Sequence, residues 1–163
     1  VNPIIVAFGS RALTDENFPQ ARAQIRKGLE FIRSQSFFAD AELHEGDCEG
    51  ADKMFGEEWA ALGGVVVTHP ARWSICVRTC KPGHRKRRRD GSTYCPSAGF
   101  RRNKDMADLG AQLGIKAHLN NSRGTAMMAG LLEAAGVHVI DVLDLDLAKG
   151  VGLNVVDPYV QED

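Results

Sequence analysis

Short apolar runs alternate with segments of helical periodicity along most of this chain, and no other feature restricts its fold as much. Ile4 to Phe8 is a continuous apolar run closed by Gly9-Ser10, as expected of a strand buried on both faces. Thr14 is placed to cap a helix, with Asp15 and Glu16 in its first turn and Phe18, Ala21, Ile25, Leu29 and Ile32 along one face. Ala41 to His44 reads as a second strand. A turn over Asp47 to Asp52 follows it. The next helix carries Ala51, Phe55, Trp59 and Leu62 and stops at Gly63-Gly64. Val65 to Thr68 is short and β-branched, a third strand. After a long loop, Gly99 opens a helix with Met106, Leu109 and Leu113 on one face. Ile115 to Leu119 is strand four, and Asn120 to Thr125 a polar turn. The last helix holds Met128, Leu131, Leu132 and Ala135 and ends at Gly136. Val137 to Val142 is strand five.

Such an order implies right-handed crossovers and a mainly parallel sheet. The predicted fold is therefore α/β: a Rossmann-like, three-layer α/β/α arrangement of about five strands. Residues 1–142 form its body, with an insertion at about 70–98, and residues 143–163 form a C-terminal tail or edge strand. No stretch approaches the ~20 apolar residues of a membrane-spanning helix. The first apolar run is too short for a signal peptide and lacks a basic leader. The expectation is a cytoplasmic protein without a membrane partner, a setting in which clustered cysteines more often bind metal than form disulfides.

The insertion holds such a cluster. Cys76, Cys80, His84 and Cys95 follow a C-x3-C-x3-H-x10-C pattern, with Pro82-Gly83 and Gly91 available to turn the chain back. Three thiolates and an imidazole form a closed, structural zinc set. Free thiols, or a disulfide formed on oxidation, are the other reading. Cys48 lies apart and is read as a non-ligand, and His44 and His138 as strand residues.

Charge is distributed unevenly. Residues 72–104 hold eleven Lys or Arg against one acid, Asp90; this window of +10 leaves −11 on the rest of a chain whose net charge is −1. A positive patch on an acidic body suits an anionic partner, or is simply a solvated loop. The run Arg85 to Arg89 can grip nucleic-acid phosphates, cover a pocket or form a contact between copies of the chain. Phe37-Phe38 offers apolar surface for the last of these, a homo-oligomer.

Open parallel sheets bind ligands beyond the carboxyl ends of their strands. Here those ends read Gly9-Ser10-Arg11, Gly46 with Gly50-Ala51-Asp52, and Ser122-Arg123-Gly124-Thr125. Glycine lets backbone amides approach an anion, and a helix start adds the positive end of its dipole. Arg101, Arg102 and Asn103 add charge-assisted donors at the start of the third helix. His69-Pro70 ends strand three beside them. Neither a P-loop nor G-x-G-x-x-G is present.

In this order, Phe8-Gly-Ser-Arg11, His44-Glu-Gly46-x3-Gly50-Ala-Asp52, His69-Pro70, Gly99-x-Arg-Arg-Asn103-x-x-Met106 and Arg123-Gly-Thr125 resemble the YspA/YpsA-like branch of the SLOG superfamily, which includes the lonely-guy enzymes and the DNA-processing protein A family. The insertion is similar to those of actinobacterial and phage members; for a phage protein the compartment would be the host cytoplasm. The resemblance implies a Rossmann-like domain binding a nucleotide or nucleotide-derived ligand through Gly9, Ser10, Arg11, Gly46, Asp52, Arg102, Asn103, Gly124 and Thr125. Asp52 is placed either for a ribose hydroxyl or for the helix dipole. Lonely-guy enzymes carry a Glu that helps cleave an N-glycosidic bond; here that position is Met128, and Met cannot stabilise an oxocarbenium-like state. The implied function is nucleotide binding with little or no catalysis. A nucleic-acid-binding module and a nucleoside 5′-monophosphate phosphoribohydrolase are the alternatives.

Overall fold

The structure is a computed structural model that describes residues 1–119 and 122–145. Its sheet has five parallel strands: β1 (Ile4–Gly9), β2 (Glu42–Glu45), β3 (Val65–Thr68), β6 (Leu113–Ala117) and β7 (Val139–Asp141), in the order β3-β2-β1-β6-β7. Between β3 and β6 lies an antiparallel ribbon, β4 (Lys86–Arg87) and β5 (Thr93–Tyr94). The helices are α1 (Ala21–Ser34), α2 (Ala51–Ala61), α3 (Ala98–Ala107) and α4 (Arg123–Ala134). This is the predicted three-layer α/β/α order.

Alternation along β1 divides the core. Ile5 and Ala7 face α1 and α2, packing with Ile25, Leu29, Phe55 and Trp59. Val6 and Phe8 face α3 and α4, packing with Met106, Met128 and Leu132. Both faces of β1 are covered, which is why its sequence is apolar without a break.

Several boundaries differ from the sequence reading. Helix α1 begins at Ala21, not after Thr14. Thr14 instead accepts the Asn17 amide in a separate turn (3.2 Å), and Pro19, with no amide hydrogen, interrupts helical bonding from that turn into α1. Leu113 lies in β6 rather than on the third helix. Gly110, at φ 76°, ends that segment and returns the chain to the sheet. Phe38 is buried in the core, and Phe37 packs edge-on against it and is half-buried, so only Phe37 leaves apolar surface exposed. Leu143 and Leu145 also pack on the core, and the rest of the expected tail, 146–163, lies outside the described residues, as do Asn120 and Asn121.

At Gly9 three segments meet. A Cβ there would stand 2.3 Å from the Ala117 carbonyl oxygen and 2.6 Å from the Ala51 Cβ. Backbone cannot yield as a flexible side chain can. Gly9→Ala is therefore expected to cost about 2 kcal/mol, roughly 6 °C of melting temperature. Gly124→Ala, where a Cβ meets nothing within 4 Å, should leave thermal stability unchanged or slightly raised. Equal effects of the two in a melting experiment would refute this packing account.

Candidate functional site

The sheet order reverses direction between β1 and β6. From β1 the chain turns to α1 on one face, and from β6 to α4 on the other. Their carboxyl ends diverge around a cavity of about 730 Å³. Eight of the nine residues singled out from the sequence line it: Gly9, Ser10, Arg11, Asp52, Arg102, Asn103, Gly124 and Thr125. Gly46 lies beside it, in an adjoining groove of about 740 Å³.

These residues do different work. Ser10 is buried and closes the cavity floor: its hydroxyl donates to the Leu119 carbonyl (3.2 Å) and accepts the Leu119 amide (2.9 Å), and its carbonyl accepts the Leu13 and Ala51 amides. Arg102 is also engaged. Its guanidinium donates to the Gly46 and His69 carbonyls, to Asn103 Oδ1 (2.8 Å) and to Cys48 Sγ (3.4 Å). It therefore ties the ends of β2 and β3 to α3 while lining the cavity and the groove beside it. Gly46 fits between that guanidinium and the Asp52 carboxylate, where a Cβ would lie under 3 Å from both.

The start of α4 is different. Ser122 occupies its N-cap position without a side-chain cap bond, leaving first-turn amides with no partner inside the helix. Thr125 is 3% exposed, lines the cavity, and its hydroxyl has no hydrogen-bond partner among the described residues. Arg123 is exposed and makes no hydrogen bond or ion pair among the described residues. A buried hydroxyl without a partner costs about 1–3 kcal/mol, and this one stands beside amides that have no partner inside the helix, so the turn can take an acceptor. Met128, also lining the cavity, supplies no carboxylate. Among the described residues Asp52 alone does.

The insertion is folded around its cysteines. Cys76, Cys80, His84 and Cys95 bring their ligand atoms within 4.8 Å of one another, and no disulfide joins them. Cys80 and Cys95 sulfurs are 3.8 Å apart, and His84 Nε2 lies 3.2 Å from Cys76 and 3.4 Å from Cys95. Ligands on one tetrahedral ion at about 2.3 Å stand roughly 3.8 Å apart, so the set fits a metal. Arg101 donates to Cys80 and Cys95, and Arg85 to Cys76. With a metal bound, these contacts would offset the charge of its thiolate ligands. Arg85 is thus committed to the cluster. Of the basic run, Lys86 and Arg88 face the groove, while Arg87 and Arg89 are exposed without lining it.

Sequence reasoning missed a histidine pair. His44 Nδ1 and His69 Nε2 are 2.8 Å apart, and His44 Nε2 meets Glu42 at 3.2 Å. Burial, then His44 and Arg102, hold the His69 pKa below its ordinary value. His69 borders a third cavity, not the main one. His44 sits on β2 and His69 directly follows β3, strands paired in register Glu45↔Thr68, a proximity that no one-dimensional spacing reveals.

No protein-family model and no curated protein matches the chain. Solved structures share its fold. DNA processing protein A from Streptococcus pneumoniae aligns with a TM-score of 0.62 and 14% identity, over 86% of this chain and 50% of that one. DNA processing protein A from Helicobacter pylori, from a study of its single-stranded DNA binding mode, aligns with a TM-score of 0.54 and 16% identity, over 86% and 65%. The chain spans less than two thirds of either protein. At these identities the likeness is one of fold, the Rossmannoid fold of DNA processing protein A that the motifs led us to expect. No helix among the described residues is long and apolar enough to cross a membrane.

Asp52 gives the cavity a titratable group near neutrality. Burial pushes its pKa up to about 6; Arg102 opposes the rise, Glu45 adds to it, and the Cys48 and Gly46 amides oppose it. Folding therefore favours the protonated form. That contribution is fully present below pH 3.8 and lost as pH rises through 6. Asp52→Asn removes the dependence, so the stability of the variant relative to wild type should grow by roughly 2–3 kcal/mol between pH 4 and pH 7. Urea denaturation across that range measures it, and a difference flat with pH would contradict it.

Proposed function

We propose that the protein binds a nucleotide in the 730 Å³ cavity, with a phosphate on the first turn of α4. The observation that carries this reading is the buried Thr125 hydroxyl, without a partner among the described residues, beside amides that the Ser122 side chain does not cap. Phosphate supplies what that turn lacks, since helix starts and hydroxyl donors both favour an anion. Arg123 and Arg11 add positive charge, and Phe18 and Phe100, 37% and 49% exposed on the cavity wall, offer rings to a base. The reading is binding rather than turnover. With Met128 where a carboxylate would assist glycosidic cleavage, it does not extend to phosphoribohydrolase activity.

Thr125→Val tests it through two opposite signs. Removing an unpartnered buried hydroxyl should leave the free protein as stable or more stable. Removing a donor to phosphate should weaken adenosine 5′-monophosphate by about tenfold, the worth of a hydrogen bond to a charged group, and leave adenosine unaffected. Calorimetry showing equal affinity for both proteins, or no binding of a nucleotide panel, would reject the proposal.

The metal we assign to the insertion is zinc, held in a closed structural site by Cys76, Cys80, His84 and Cys95. Elemental analysis should find one zinc per chain. A thiol reagent should count one reactive cysteine, Cys48, before chelation and all four afterwards. Four reactive thiols in untreated protein would remove the assignment. A second functional reading, single-stranded nucleic acid, draws support from the basic ribbon and from the DNA-binding mode studied in the Helicobacter pylori protein.

A further inference from the structure

We propose that the groove between the β4–β5 ribbon and the turn after β2 is a second nucleotide subsite, so that the ligand carries at least two nucleotide units. This rests on the reading of the main cavity given above. The groove, about 740 Å³, shares Arg11, Cys48, Pro96 and Arg102 with that cavity, so the two form one continuous cleft. Each part lies in the size range of small-molecule sites, roughly 300–1,000 Å³.

Its walls carry opposite charge. The ribbon side presents Lys86 and Arg88, with Arg11 and Arg102 toward the main cavity. The body side presents Asp47 and also Glu49, which pairs with Lys53. Trp73 and Tyr94, both half-buried, line the same space with rings 6.0 Å apart and crossed at 80°, and the Arg88 guanidinium lies 4.7 Å over the Tyr94 ring. A bare polyanion would be repelled by Asp47 and Glu49, and a basic peptide by the cations opposite. A nucleotide unit satisfies both walls, with its phosphate toward Lys86 and Arg88 and its hydroxyls or exocyclic amine toward the carboxylates. Its base is left for the aromatic floor, where stacking contributes whatever the sequence.

The ribbon is held in place to make this wall. Arg85 bonds Thr93, the Ser74 carbonyl and Cys76, and the Trp73 carbonyl accepts the Cys95 amide at 2.7 Å. Trp73 also packs on α3: a Cβ at Gly99 would stand 3.0 Å from its ring.

The experiment compares adenosine 5′-monophosphate with a 5′-phosphorylated diadenylate on the full, metal-loaded chain, by calorimetry and tryptophan emission. The chain has two tryptophans, and Trp59 is buried in the core, so quenching reports on Trp73. The dinucleotide should bind at least about tenfold tighter and quench emission where the mononucleotide does not. Lys86→Glu with Arg88→Glu should abolish the gain while leaving mononucleotide affinity within about twofold. Both positions are exposed, and retained metal shows that the ribbon is intact. An eight-unit strand binding tighter still would identify the ligand as single-stranded nucleic acid, and a plateau at two units would identify a small dinucleotide. Equal affinity for one and two units, or a gain that survives the charge reversal, overturns the groove alone. Failure of the mononucleotide to bind overturns the cavity reading and takes the groove with it.

Discussion

The close approach at Gly9 and Ser10 is the constraint on which the rest of the structure depends. The end of β1 is pressed against the end of β6 through the Ser10 amide on the Ala117 carbonyl (3.1 Å), and against the start of α2 through the Ala51 amide on the Ser10 carbonyl (3.1 Å). With the two strands held this tightly, their outgoing turns part to opposite faces. A cleft opens where the sheet order reverses, the place in such folds where ligands collect. Residues that look like ligand contacts are in part what makes the cleft. Gly9 serves packing, Ser10 latches backbone, and Arg102 spans the strand ends. On the proposed reading, the start of α4 takes the phosphate, with Arg11 and the two aromatic rings at the cavity wall beside it.

The insertion is registered to this body by consecutive arginines. Arg101 turns outward to Cys80, Cys95 and the Ile75 carbonyl (2.8 Å), while Arg102 turns inward to the Gly46 and His69 carbonyls. The first turns of α3 thus join two structures of different origin: a sheet edge stabilised by apolar burial and a loop that has almost no core. Within the insertion only Cys95 and Ala98 are buried among apolar residues. A segment so poor in buried surface cannot offset its ordering entropy without a further bond, and the four ligands supply the positions for one. The fixed loop then places Lys86, Arg88 and Tyr94 along the cleft.

Much of this architecture is readable in the sequence, because burial on both faces leaves an unbroken apolar run at β1 and a 3.6-residue stripe such as Ala51, Phe55 and Trp59 on a helix covering it. The cavity residues are legible for a related reason: they fall at the end of β1 or in the first turns of the helices that follow strands. What escapes is whatever depends on distance in three dimensions. Thr14 is a good cap, and only the downstream Pro19 decides that it caps a turn. Leu113 fits a helical stripe and a buried strand equally, until Gly110 ends the helical segment. The β4–β5 ribbon has strands of two residues each, Lys86–Arg87 and Thr93–Tyr94, with no periodicity to detect. Arg102 and Ser10 line the cavity and also bond the backbone, because carbonyl oxygens brought near by folding take up donors that the sequence shows as free.

The central claim is that the first turn of α4 receives a phosphate. Amide proton–nitrogen correlation spectra, recorded as adenosine 5′-monophosphate is added, observe that turn directly. The account predicts downfield shifts of the Gly124 and Thr125 amides that saturate with the ligand and are absent with adenosine. Shifts confined to the ribbon or to the start of α2, with Gly124 and Thr125 unmoved, would contradict it.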